Sequence, residues 1–216
     1  MANKSYSIPG GGDAMGMLIQ LADLTYVKAV RVLGDAPVVT ATYARPADNT
    51  DYSIGDIIGN SGTAASVVPV SFASSARATG GTGRITGARC VVSAASGTIV
   101  LPAFDLLLFN PITSVPFAAA GYPADNAPLT ISIAAFKQCL GVLQFSATAW
   151  RNPAGGTTTA GDSIFQTAGF ANRPYVPFNL AAAAGSTLVG LLQAQNTWAP
   201  TGIVNTFDFV LDIEQD

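Results

Sequence analysis

Residues 206–214 read TFDFVLDIE, and their alternation decides the fold class. Phe207, Phe209, Leu211 and Ile213 fall on every second position, with Asp208, Val210, Asp212 and Glu214 between them. A period of two belongs to a β-strand that turns one face to a core and the other to solvent or a partner. The stretch FDLLLF at 104–109 is apolar on both faces except at Asp105, which predicts a central strand covered on each side.

Outward from these two segments, the same criteria predict strands at 26–33, 38–43, 55–58, 67–72, 83–94, 141–150, 164–170, 175–180 and 187–195. Turn chemistry separates them, as in Pro46-Ala-Asp-Asn, Asn60-Ser-Gly, Asn110-Pro and Asn152-Pro-Ala-Gly-Gly. Helical signals are few. Asp13 is placed to cap a short helix over 13–23, although the apolar spacing there fits a strand nearly as well, and 131–140 is a weaker candidate. Many short strands without intervening helices predict an all-β chain, with an eight-stranded jelly-roll-like β-sandwich over residues 36–216 and an N-terminal arm or extension over 1–35.

The stretch TGGTGRITGARCVV at 79–92 carries four glycines within eight residues and invites a phosphate-loop reading. Its spacing fails that test. Gly81 and Gly83 are followed by Thr86 where G-x-G-x-x-G needs glycine, and the continuation is β-branched rather than helical. No Gly-Lys pair exists for a lysine phosphate loop. The stretch reads as a glycine turn feeding a long strand.

Charged residues make up 11% of the 216-residue chain, against about 25% for an ordinary soluble domain. Mean hydropathy is +0.39, yet no run of about 18 apolar residues exists to span a bilayer, so no membrane partner is expected. A surface this short of charge is expected to be buried in part against other subunits. The net charge of -3 and a lysine set of only Lys4, Lys28 and Lys137 argue against nucleic acid as a partner. The apolar stretch 14–24 is interrupted by Gly16, Gln20 and Asp23, unlike a signal peptide, which points to synthesis in a cytoplasm. Cys90 and Cys139 sit in strand-like segments and are expected to be buried, reduced thiols.

Histidine is absent, which removes the commonest general base and metal ligand together. No catalytic residues, metal or cofactor are expected. Asp208 and Asp212 are explained by strand alternation. Asp105, inside an apolar strand, needs a partner, and Arg84 or Arg89 on a neighbouring strand is the expected one. Asp48, Asp51 and Asp56 lack the spacing and closing glutamate of a calcium loop and read as turn caps.

The segment YARPADNTDYSIGDIIGNS at 43–61 resembles a signature, R-P-A-D-x-T-x-Y-x-x-G-D-x-x-x-N-S, carried by a family of tailed-bacteriophage proteins. As in that family, it is followed by Val67-Val-Pro-Val, a glycine turn, a long strand with basic residues, Leu108-Phe-Asn-Pro, Asp125-Asn-Ala-Pro-Leu and an acidic last strand. The resemblance covers roughly 43–214 and implies a virion component, similar to head decoration or cement proteins with a jelly-roll domain. It implies the major capsid protein as partner and a place on the capsid exterior after synthesis in the bacterial host. The shortage of charge predicts a homo-oligomer of the chain itself, with a trimer favoured over a dimer. Within 1–35, Met15, Met17, Leu18, Ile19 and Leu21 form an apolar patch suited to a capsid or subunit interface. The competing expectation is a carbohydrate-binding jelly roll of the tail or head fibre, with Trp150, Trp198, Tyr122 and Tyr175 as candidate sugar platforms against their simpler use as packing in loops.

Overall fold

The computed structural model describes residues 17–20, 26–29, 37–63, 67–94, 99–110, 124–130, 133–152, 163–171, 174–180, 185–200 and 202–215. The chain divides into two units, Met1–Asp35 and Ala36–Asp216.

In the first unit, β1 (Met17–Gln20) and β2 (Tyr26–Ala29) pair antiparallel, with Met17 opposite Ala29 and Gln20 opposite Tyr26. The helix expected over 13–23 is therefore replaced by a strand at its centre. A β-branched and aromatic partner segment, Tyr26-Val27, offers the ladder that a short, weakly capped helix lacks. Of the five candidate interface residues, Met17, Leu18 and Ile19 lie on β1, while Met15 and Leu21 fall outside the described residues.

The second unit contains β3 (Val38–Arg45), β4 (Ile57–Ile58), β5 (Val70–Phe72), β6 (Thr82–Ala94), β7 (Phe104–Phe109), β8 (Cys139–Phe145), β9 (Ser163–Thr167), β10 (Gly169–Phe170), β11 (Val176–Asn179), β12 (Leu188–Ala194) and β13 (Asn205–Gln215). All pairings are antiparallel. One sheet runs β11-β6-β13-β3, with β9 sharing the outer edge of β6; the other runs β10-β8-β7-β12-β4, with β5 sharing the edge of β12. When β4 with β5 and β9 with β11 each count as one interrupted strand, the sheets read β3-β13-β6-β9/β11 and β4/β5-β12-β7-β8, the order of an eight-stranded jelly roll, in which β7 and β8 are consecutive in one sheet. The all-β sandwich expected from the alternation is the fold.

The inner side chains come from the segments that alternate most cleanly. Phe207, Phe209, Leu211 and Ile213 are fully buried, and their neighbours Asp208, Val210, Asp212 and Glu214 are not. Opposite them Phe104 stacks on Phe145 with ring centroids 4.7 Å apart and meets Phe207 edge-on at 5.5 Å. The apolar outer face of β7 is also accounted for. Leu107 and Phe109 join Ile57 and Leu191 in a second cluster on the far side of that sheet, with Leu129, Cys139, Val142 and Val189 packed around it.

The glycine-rich stretch is strand β6, and two of its glycines answer to close packing. A Cβ on Gly83 would lie 2.6 Å from the Glu214 carbonyl oxygen and from the Phe178 ring. Gly87 sits where the β6–β13 register slips between Asp212 and Ile213, and a Cβ there would lie 2.5 Å from an Asp212 carboxylate oxygen. These glycines are small because another strand occupies the space.

Several strand ends differ from expectation by one to three residues, as at Ile57–Ile58 and Val70–Phe72, and three elements differ more. The strand expected at 164–170 is two, because the chain leaves β6 after Thr167 and joins β8 in the opposite sheet at Gly169. The strand expected at 141–150 begins at Cys139 and ends at Phe145, where a turn at Ser146–Ala149 intervenes. The helix expected over 131–140 is a single turn, Ile133–Phe136, without acidic residues in its first turn or basic ones in its last, and Cys139-Leu140 is taken by β8.

The inward and outward faces of β13 should separate sharply in stability. Phe209→Ala, which empties a site shared by Phe72, Phe104, Phe145 and Phe207, is expected to cost about 3–5 kcal/mol in urea unfolding, and Thr206→Ala on the outer face no more than about 0.5 kcal/mol. Equal losses would contradict the assigned faces.

Candidate functional site

Two residues of the 43–61 signature, Arg45 and Tyr52, meet Trp198 in a buried knot. Arg45 ends β3 with its side chain wholly buried. Its guanidinium donates to the carbonyls of Ile203 (3.0 Å) and Asp48 (2.6 Å), to the Asp48 carboxylate (3.0 Å) and to the Pro46 carbonyl. Its carbon centre lies 5.6 Å from the Tyr52 ring centroid and 5.4 Å from that of Trp198, and the two rings stack at 4.9 Å. A planar cation with five donors suits this place, because it satisfies several carbonyls while its faces meet aromatic rings.

Tyr52 extends the knot to a distant segment. Its hydroxyl donates to Asp125 Oδ1 at 2.6 Å, and the Gly59 amide donates to the same oxygen at 2.6 Å. Tyr52 and Trp198 also exchange backbone hydrogen bonds of 2.8 and 3.1 Å, and the Trp198 indole donates to the Val100 carbonyl at 2.9 Å. Of the three acids expected to cap turns, Asp48 accepts from the Thr50 amide and Asp56 from the Ser53 amide, whereas the exposed Asp51 has no hydrogen-bond partner for its side chain among the described residues. Asn60 accepts from the Val68 amide at 2.8 Å. The signature thus spells a loop-locking device, in which Arg45, Asp48, Tyr52, Asp56 and Asn60 each make at least one hydrogen bond within the chain while the buried Arg45 Nε is left without a partner.

Burial pushes the Asp125 carboxyl up to about 6 against the opposing pull of the Tyr52 and Gly59 hydrogen bonds. Burial also raises the Tyr52 hydroxyl far above its ordinary range, and the bond to Asp125 adds to it, so the proton stays on the tyrosine.

The exposed acids of β13 are paired across the outer face of their sheet. Asp208 accepts from Thr42 at 2.6 Å, Asp212 pairs with Arg89 at 3.0 Å and Glu214 with Arg84, whose guanidinium lies 5.7 Å from the Tyr175 ring centroid. At this exposure each contributes at most about 1 kcal/mol.

Asp105 departs from expectation. It lies on β7 in the opposite sheet from Arg84 and Arg89, both of which are occupied by β13 acids, and among the described residues it has no ion-pair or hydrogen-bond partner. Its carboxyl is pushed above the usual range by burial alone. It lines an open groove of about 480 Å³ with Gln144 and Ser146 from the end of β8, Gln166 and Thr167 from β9, and Gln195 after β12. Gln144 stands directly across the ladder from Asp105. The three glutamines were the missed residues here. Their signal is an amide placed in or beside otherwise apolar strand sequence.

The other candidate residues resolve as follows. Trp150 and Trp198 are both buried, and Trp150 donates to the Pro102 carbonyl at 3.0 Å, so neither offers a face to a sugar. Tyr175 is 38% exposed but lies against Arg84, and Tyr122 falls outside the described residues. Both cysteines are free thiols raised by burial. Cys90 is fully buried, whereas Cys139, expected to be buried, is only partly so because it begins an edge of the outer cluster. Among the described residues no group of three or more acidic or sulfur ligands could hold a metal ion. No family model and no curated protein matches the chain.

The raised Asp125 carboxyl gives the knot a signature in pH. The folded chain takes up this proton near pH 6 and the unfolded chain only near its ordinary 3.8, so the folded state binds it more tightly. The contribution of Asp125 to stability is therefore fullest below the unfolded value and is lost as pH rises through about 6. Asp125→Asn keeps an acceptor for Tyr52 and Gly59 and removes the titration. Thermal unfolding from pH 3 to 8 should show wild type losing stability relative to the variant across that window; parallel curves would refute the assignment.

Proposed function

We propose that the chain is a structural component of a tailed-bacteriophage virion, a head decoration or cement protein that binds the outer surface of the capsid lattice and stabilises contacts between capsomers. The observation that carries this reading is the surface of the sandwich. Ile133 is 78% exposed, Ile54 70%, Val68 58%, Val38 57% and Phe136 55%, in a chain with only 11% charged residues. Large exposed apolar side chains on a charge-poor surface favour contact with protein over contact with water. The likeness of 43–214 to phage head proteins points to the major capsid protein as partner, and the shortage of charge points to a homo-oligomer of the chain itself, a trimer in preference to a dimer. Many modest contacts repeated over a lattice then hold by avidity, so no single tight site is needed.

The reading assigns no catalytic step, cofactor or metal to the chain, and places it on the capsid exterior after synthesis in the bacterial cytoplasm. It also gives residues 1–35 a role as an arm that docks its apolar patch on a neighbour. Each such side chain contributes about 1.5–3 kcal/mol when fully buried.

Two measurements test it. Quantitative gel electrophoresis of purified virions should find the chain in copy numbers on the scale of a head lattice, and the isolated protein should scatter light as an oligomer. A handful of copies per particle, or a 22.0 kDa monomer at micromolar concentration, would count against it. Removal of residues 1–24 should leave the thermal unfolding of the sandwich intact and weaken co-sedimentation with heads stripped of the protein. Undiminished binding by the truncated chain would sink the arm.

A further inference from the structure

The groove beside Asp105 is built unlike the rest of the surface. The acids on the outer face of β13 are each paired with Arg or Thr, yet Asp105 has no partner among the described residues. The side chains of Gln144 and Gln195 likewise make no hydrogen bond among the described residues. Gln166 is the telling member. It is only 3% exposed, lines the same groove, and leaves its Oε1 without a partner. An unmet buried acceptor costs free energy that an incoming donor recovers. Several unengaged polar side chains from both sheets thus face one groove of about 480 Å³, within the range of small-ligand sites.

The geometry points to a binding site for a neutral saccharide, held by hydrogen bonds to Asp105, Gln144, Gln166 and Gln195 rather than by aromatic stacking. A sugar hydroxyl both donates and accepts, and a glutamine amide presents both complements, while a carboxylate accepts from two adjacent hydroxyls. An anionic ligand would meet the Asp105 charge with no cation among the described residues that line the groove. A metal ion would find one carboxylate and otherwise neutral groups among the described lining residues. A guanidinium from a partner protein would suit Asp105 but leave the amide donors of three glutamines without acceptors. This site is independent of the virion reading, and it differs from the aromatic platforms that Trp150 and Trp198 would have formed, since both are packed away.

The test uses the full chain and saturation-transfer NMR with the methyl glycosides of glucose, galactose, mannose and N-acetylglucosamine at millimolar concentration. At least one glycoside should show transfer, and Asp105→Asn and Gln144→Ala should each weaken it about tenfold or more with unchanged unfolding temperature. Gln144 is exposed, so its variant carries the comparison even if Asp105→Asn loosens the sheet. Absence of transfer from all four glycosides, or transfer that survives both substitutions, overturns the proposal. Binding of L-argininamide in place of the glycosides overturns it too and identifies a cation socket.

Discussion

The contact of Phe104 and Phe145 with Phe207 and Phe209 is what makes two sheets into one domain. Phe104 and Phe145 come from adjacent strands of one sheet and Phe207 and Phe209 from the central strand of the other, with centroids between 4.7 and 6.4 Å. Offset and edge-on pairs at these distances add to the burial of the rings themselves. Everything outside the core is placed by it. β13 is central because both of its edges are used, by β3 and β6, while its inner face carries the aromatics. Once that strand is set, Asp208, Asp212 and Glu214 have no choice but to face outward, where Thr42 and two arginines meet them.

A chain with few charges uses them sparingly, and among the described residues the one fully buried cation, Arg45, holds a loop. Arg45 sits where β3 leaves the sheet, and the loops after it, between Trp198 and β13 and around Asp125, would otherwise be joined by little but backbone. Desolvating a guanidinium is costly, and the cost is met here by carbonyl acceptors, a carboxylate and two aromatic faces together. Asp125 completes the arrangement at the other end of Tyr52, so that cation, phenol and carboxylate form a line through the loops at one end of the sandwich.

Periodicity made the sandwich readable, because a one-residue step in a strand exchanges core for solvent and the pattern of β13 admits no other register. The double-sided burial of β7 was readable for the same reason. What periodicity does not encode is which sheet a strand joins, and this is why Ser163–Thr167 and Gly169–Phe170 were read as one strand although they serve opposite sheets. Asp105 shows the limit at the level of a side chain. Its need for company followed from the sequence, but its assignment to Arg84 or Arg89 required knowing that those arginines lie across the sandwich and already face β13. The glutamines of the groove carry no period and come from segments far apart in sequence, so only the fold assembles them.

The knot and the groove use their polar side chains differently. Arg45, Asp48, Tyr52, Asp56 and Asn60 each make at least one hydrogen bond within the chain. In this chain those bonds close loops of the sandwich. Other side chains stand apart from them: Ile54, within the same segment, and Ile133 project from the surface, and Asp105 lines a polar groove. The groove is not insulated from the core, because Phe145 lines it and also stacks on Phe104 and meets Phe209 edge-on. A change in the groove that moves Phe145 is therefore felt by the ring cluster that joins the two sheets.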